Sequence, residues 1–349
     1  MPGQTLYHTY QRYKTLYSDK ISVLPIVILM PHSACNCRCV MCDIWKGNSN
    51  LKQLTEDDVK GLLGTLKRFG TKQVVMSGGE ALLNTNFFRL CELLQNEGIR
   101  IALLSTGLLF RKNTDSLVNL VDTVIVSLDG DQTTHDAIRA IPGGFAKLKD
   151  GIQYVKSIKP GYKISARTVI CRLNFKIWPN IIDTAKEIGL SQISFLPADV
   201  TSEAFNRDIP WDAFWQEGIM LSLKELPLLD NVINELIENY KIEFATGFIA
   251  EAPGKIRKIY DYYSALHGLS PFPYKKCNAP WVSTVIEADG AVRPCFFHET
   301  IGNIKDNSLD EILNSSQAVQ FRKNLDVSKD STCVKCVCYL NLNPLTNPF

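Results

Sequence analysis

The chain has 349 residues and a formal net charge of +2, with 45% apolar and 21% charged residues. These totals fit a folded globular protein with room for one domain of about 200–250 residues and a smaller one. A charge so near balance gives no general attraction to nucleic acid or an anionic membrane, and neither is expected as a partner.

Residues 1–21 read as an amino-terminal extension. The apolar run ISVLPIVILMP, residues 21–31, is shorter than the ~20 residues a membrane span needs. It also lacks the layout of a signal peptide, because a tyrosine-rich polar stretch precedes it and no small-residue cleavage site follows. Its β-branched content predicts a buried strand over 24–30. With no export signal, a cytoplasmic location is expected, and in a reducing compartment clustered cysteines point to metal rather than disulfides.

The next stretch, CNCRCVMCDIW at residues 35–45, holds four of the chain's 11 cysteines. Cys35-x3-Cys39-x2-Cys42 supplies three thiolates on one loop, with Cys37 between the first two. Structural zinc and ordinary iron–sulfur clusters take four protein ligands, so three would leave one metal position open. A zinc loop is the plain alternative.

From residue 22 to about 200, short apolar runs alternate with helix-like stretches. Strands are predicted over 24–30, 73–76, 100–104, 123–127, 163–169 and 192–196. Thr55 followed by Asp58 marks a helix start, and Gly98 a helix stop. Six β-then-α units predict a parallel sheet, open or curled into a barrel, with ligands at the carboxyl ends of the strands. The cysteine loop, Ser77-Gly78-Gly79-Glu80, Ser105-Thr106-Gly107 and Ser127-Leu128-Asp129 follow successive strands and would meet at one rim. Beyond residue 200 the pattern weakens, with a helix predicted over 233–240 and a mixed Tyr, Lys and Pro stretch over 253–276. Five cysteines fall in the last 73 residues, around a hairpin that turns at Asp289-Gly290.

Together these residues resemble the radical S-adenosylmethionine (SAM) superfamily. The resemblance implies an α/β fold, a partial (β/α)6 TIM-like barrel over 22–225. A bridging or substrate region over 226–276 follows, then a small β-hairpin/helix auxiliary Fe–S domain over 277–349. It implies that Cys35, Cys39 and Cys42 hold a [4Fe–4S] cluster whose fourth iron binds SAM. Gly78, Gly79 and Glu80 would meet the methionine end of SAM. Ser127 and Asp129 would support the ribose, Arg139 of His135-Asp136-Ala137-Ile138-Arg139 would reach the carboxylate, and Leu196 would lie near the adenine. Met41 stands where the family usually has an aromatic residue, and Ala81 where it usually has proline. Cys277, Cys295, Cys333 and Cys336 resemble the ligands of the "twitch" module, the shorter relative of the SPASM domain, and imply a second, auxiliary [4Fe–4S] cluster. A four-cysteine zinc site is the alternative, and Cys338 is either surplus or a replacement for Cys336.

The expected reaction is reductive cleavage of SAM to a 5′-deoxyadenosyl radical, which takes hydrogen from a substrate carbon. An electron donor such as flavodoxin or ferredoxin would drive it. A two-electron oxidation of a small-molecule substrate is the leading expectation. An epimerisation with Cys338 or Cys171 as hydrogen donor, a peptide-modifying maturase, and a non-enzymatic Fe–S or zinc protein are the alternatives. The 20 or so residues before the first strand are few for a leader-peptide domain, which weighs against the maturase. Cys91 and Cys171 are expected in the core, and Tyr260, Tyr262 and Tyr263 in packing.

Overall fold

The computed structural model describes residues 6–204, 207 and 209–345. Residues 1–5 of the expected extension and 346–349 of the expected terminal domain lie outside them. The chain opens with helix α1 (Leu6–Ser18) and then alternates strand and helix. Strands β1 (Ile26–Leu29), β2 (Gln73–Met76), β3 (Arg100–Ser105), β4 (Thr123–Ser127), β5 (Ile164–Ile170) and β6 (Gln192–Pro197) pair in parallel, in sequence order. Between them run α2 (Glu56–Arg68), α3 (Phe87–Asn96), α4 (Phe110–Leu120), α5 (Gln132–Arg139) and α6 (Gly144–Ile158), with α7 (Trp178–Glu187) before β6.

The local chemistry accounts for these boundaries. Thr55 and Asp58 form a complete capping box at the start of α2. Gly98 follows α3 with φ +73°, a conformation that costs glycine least. Along β5, Ile164, Ala166, Thr168 and Ile170 are buried, while the alternate Arg167 and Val169 line the central lumen. This period-two alternation sends one set of side chains under the helices and the other inward.

The sheet does not close. Past β1 it continues through β7 (Ser283–Ile286), β8 (Ala291–Arg293) and β9 (Gly302–Asn303), giving nine strands in the order β6-β5-β4-β3-β2-β1-β7-β8-β9. The predicted Asp289-Gly290 hairpin is present, and Gly290 has φ +91°. Its first strand pairs in parallel with β1, so one sheet runs across residue 277, where the terminal domain was expected to begin.

After β6 come α8 (Ala213–Ile219), α9 (Leu226–Asn239), α10 (Lys241–Ala245) and α11 (Pro253–Leu266). The last was not legible, because its apolar spacing is broken by polar residues; Ile256, Ile259, Tyr262 and Tyr263 nevertheless bury one face. Short helices α12 (Ala279–Val282), α13 (Leu309–Leu313), α14 (Ser316–Asn324) and α15 (Ser331–Lys335) complete the carboxyl-terminal part. No helix among the described residues is long and apolar enough to cross a membrane.

Candidate active site

The cysteine loop follows β1 and is braced from three sides. Gly78 and Gly79 come so close to it that a Cβ on Gly79 would lie 2.1 Å from the Ala34 carbonyl oxygen. Glu80 N–H donates to that same oxygen (2.8 Å). The glycine pair is thus required by contact between two loops of the protein itself. On the second side, Arg38 and Val40 N–H donate to the carbonyls of Arg139 and Ile138 at the end of α5 (3.1 and 3.0 Å). On the third, Asn48 exchanges two hydrogen bonds with the Cys35 backbone, both 2.9 Å.

Cys35, Cys39 and Cys42 all line a cavity of about 250 Å³, whereas Cys37 does not and is buried behind the loop. With free thiols, Cys37 hydrogen-bonds to both Cys35 and Cys39. That contact, with help from Arg139, holds the Cys39 thiol down at about 6, while burial pushes Cys42 up to about 12. Three soft donors facing one space, without a fourth, fit an iron–sulfur cluster with an open position better than a closed zinc site.

The expected SAM contacts divide into two groups. Gly78, Gly79, Ser127, Arg139 and Leu196 line the cavity with Met41. Glu80 and Asp129 are fully buried and sit behind its wall. The Glu80 carboxylate accepts from Thr106 N–H (2.8 Å), Thr106 Oγ1 (2.7 Å), Ser105 Oγ (3.0 Å) and Leu82 N–H (3.2 Å). Burial raises its pKa, and these donors oppose the rise. The carboxylate therefore ties the loop after β2 to the loop after β3. Asp129 Oδ2 accepts from Arg139 Nε (2.6 Å), and Arg139 Nη1 stands 3.5 Å from Cys39 Sγ.

The His135–Arg139 segment has an internal logic. His135, kept neutral by burial with its pKa near 4, accepts the Asp129 N–H at Nδ1 (3.3 Å). Asp136 accepts from the backbone N–H of Gly143 and Phe145 (2.7 Å each). The segment fixes Asp129, and Asp129 fixes Arg139.

A stretch with no readable motif covers the other side of the loop. Arg207 donates to Asp199 (3.0 Å) and to the Met41 carbonyl (3.4 Å), and stacks 3.9 Å from the Trp211 ring centroid. Trp211 Nε1 donates to Asp43 Oδ2 (2.9 Å). Nothing in the sequence marked these residues, because the Met41 and Asp43 they hold lie 166 and 168 positions away.

Cys277, Cys295, Cys333, Cys336 and the more exposed Cys338 all line a second cavity of about 310 Å³. Its other walls include the lumen-facing residues Ile26, Ile28, Leu104 and Ile125, so the two cavities share the inside of the barrel. His298, also unremarked in the sequence, places Nε2 3.3 Å from Cys333 Sγ. Lys275 donates to the Val334 carbonyl (2.8 Å) and to that of Cys336. Five thiols around one apolar space are enough for the four ligands of a closed cluster, with one to spare. Cys91 and Cys171 are fully buried, and burial pushes their thiols upward.

Two cysteine-walled chambers opening into one lumen fit two iron–sulfur clusters on either side of a shared space. The chain matches the radical SAM superfamily over residues 29–191 and the SPASM iron–sulfur cluster-binding domain over residues 277–337. It carries a radical SAM domain followed by a carboxyl-terminal SPASM domain. The first domain implies SAM and a [4Fe–4S] cluster, and the second implies an additional cluster.

Over 94% of its length the chain is 25% identical to the sporulation killing factor maturation protein SkfB of Bacillus subtilis, covering 73% of that protein. It is 27% identical to the AdoMet-dependent heme synthase of Methanosarcina barkeri, over 45% of this chain and 46% of that protein. The chain thus spans about half the length of that relative. Among solved structures, Streptococcus suis SuiB bound to S-adenosylmethionine shares the fold with a TM-score of 0.64 at 14% identity, over 94% of this chain and 75% of SuiB. Native anSMEcpe with bound AdoMet and a peptide gives 0.63 at 19% identity, over 93% and 94%.

Proposed function

We propose that this enzyme carries out a two-electron oxidation of a small-molecule substrate held in the barrel lumen between the two cysteine sets. The observation that carries the reading is the shared lumen: cavities of about 250 and 310 Å³ have Leu104, Ile125 and Arg167 in common. Cys35, Cys39 and Cys42 would hold the first cluster, and Cys277, Cys295, Cys333 and Cys336 the second. When bound, the first cluster with SAM supplies one-electron chemistry that takes a hydrogen atom from an unactivated carbon, and the second supplies an electron acceptor.

The protein's own residues orient and shield. Arg139, held by Asp129, presents its guanidinium beside Cys39, where a carboxylate of SAM would find a charged donor. Leu104, Ile125, Val169 and Leu196 line the lumen and keep its wall apolar around a reactive carbon. Trp211 and Arg207 close the Met41–Asp43 side. A donor such as flavodoxin or ferredoxin would deliver the electron.

The test is anaerobic reconstitution followed by incubation with reductant, SAM and the metabolites that accumulate in a strain lacking the gene. About eight irons per chain and a product two mass units lighter are expected. Iron near four with one stoichiometric zinc, or no SAM cleavage, would refute the reading. A product of unchanged mass carrying one carbon-bound deuterium in deuterium oxide would instead make the enzyme an epimerase, with Cys338 as the donor to mutate.

A second reading is peptide maturation. A relative matched along nearly the whole chain is a maturation protein, and SuiB has been solved with a precursor peptide. A cleft of about 630 Å³ lined by Asp199, Ser202, Glu203, His298 and Lys335 is where such a peptide would lie. Crosslinked peptide from a co-expressed neighbouring precursor would establish it.

A further inference from the structure

Three cavities meet at one side chain. Arg167 on β5 lines the chamber of the first cysteine set, the chamber of the second, and a third space of about 110 Å³ between α11 and residues 336–339. The sheet register explains its position. Arg167 pairs directly with Ser127 on β4 and with Ser194 on β6. Paired residues of neighbouring strands point to the same face, so Ser127, Arg167 and Ser194 form one polar row across the sheet.

The other charges on these walls are already engaged. Arg139 pairs with Asp129 (2.6 Å), Asp199 with Arg207 (3.0 Å), and Lys255 with Glu251 (3.5 Å). Lys275 and Lys258 donate to backbone carbonyls (2.8 and 2.9 Å). Arg167 makes one hydrogen bond, from Nε to Ser194 Oγ (3.4 Å), and has no carboxylate partner among the described residues. The wall of the second chamber has no Asp or Glu among the described residues. A guanidinium carries five N–H donors in a planar fork matched to carboxylate and phosphate. Holding that fork half-buried against apolar walls, without a counterion, is costly unless something anionic arrives.

We propose that Arg167 anchors an anionic group of the substrate, a carboxylate or a phosphate, and so holds the reacting carbon between the two cysteine sets. The inference rests on the reading of the lumen as the substrate chamber. The anion belongs to the substrate rather than to SAM because Arg139 already serves the Cys39 end, while Arg167 stands at the seam with the second chamber.

The probes are inorganic phosphate and acetate, titrated separately by calorimetry into the full-length, anaerobically reconstituted protein with SAM present. One of the two is expected to bind saturably at one site per chain, and the arm that saturates names the anion class. Arg167→Gln, at wild-type iron content, is expected to weaken that binding at least tenfold. Arg167→Lys, which keeps the charge but loses the fork, is expected to weaken it three- to tenfold, and it carries the comparison alone if Arg167→Gln loses iron. Failure of both anions to saturate the wild-type site, or unchanged affinity in the variants, overturns the proposal. A tenfold loss of SAM affinity in Arg167→Gln also overturns it, by assigning the guanidinium to SAM. SAM cleavage by the wild type is scored separately, so failure of the radical reading is distinguishable from failure of the anchor.

Discussion

At the scale of single residues, position relative to the cavity wall decides what each polar group can do. Cys35, Cys39 and Cys42 face the chamber and Cys37 does not. Alanine at any of the first three is expected to remove about four irons and abolish SAM cleavage, whereas Cys37→Ala keeps about eight, checked by iron analysis. Glu80 faces four donors from its own protein. Glu80→Ala leaves them unpaired in the interior, and a loss of about 2–4 kcal/mol is expected along with weaker SAM binding. Weakened SAM binding at unchanged stability would mean that Glu80 acts only as a ligand contact. His135 gives a pH signature. Its pKa falls from 6.5 to about 4 on folding, so the unfolded chain binds the extra proton and acid favours unfolding between those values. The native state should be about 1.4 kcal/mol less stable at pH 5.5 than at pH 7.5 from this group alone. Denaturant midpoints of wild type and His135→Asn over that range check it, and the variant's dependence should be flatter.

At the scale of elements, the site depends on loops after different strands fitting against one another. The loop after β2 reaches the cysteine loop at Gly79, and the loop after β3 reaches it through Glu80 and Thr106. Gly79→Ala puts a Cβ against the Ala34 carbonyl, which is backbone and cannot swing aside. The cysteine loop must then shift. Loss of about four irons from the first site with the second site filled is the expected outcome, read by iron content and by the spectrum of the remaining cluster. Strand alternation acts in the same way on the lumen. Because side chains on β5 change face at every residue, Arg167 and Val169 enter the chamber while Ala166 and Thr168 pack outward.

At the scale of the whole molecule, the carboxyl-terminal strands and the segment before β1 are built into the barrel. β7 pairs with β1, Arg68 pairs with Asp310 (2.7 Å), and Lys52 with Asp289 (2.9 Å). The amino-terminal segment joins the same region: Trp281 Nε1 donates to Asp19 Oδ1 (2.8 Å), and the buried Arg322 donates to the Asp19 and Leu313 carbonyls (2.6 Å each). A chain ending at residue 276 would expose the hydrogen-bonding edge of β1 that β7 occupies. It is expected to aggregate rather than fold as a smaller barrel, which size-exclusion chromatography of the truncated protein checks. A soluble monomeric truncation would mean that the terminal domain is an independent unit.

The sequence by itself determined the six-strand alternation, the hairpin turn, the two cysteine sets and the strand-end placement of residues 77–80, 105–107 and 127–129. These features depend on local periodicity, turn chemistry and spacing, which a linear reading contains. Tertiary structure alone decided that Glu80 and Asp129 stand behind the wall and that Arg207 and Trp211 close over the loop. It also decided that β7 extends the barrel sheet, that α11 packs against β6, and that Arg167 stands at the meeting of three cavities. Each of these rests on contacts between residues far apart in sequence, and on sheet register, which fixes the face a side chain takes only once its neighbouring strands are in place.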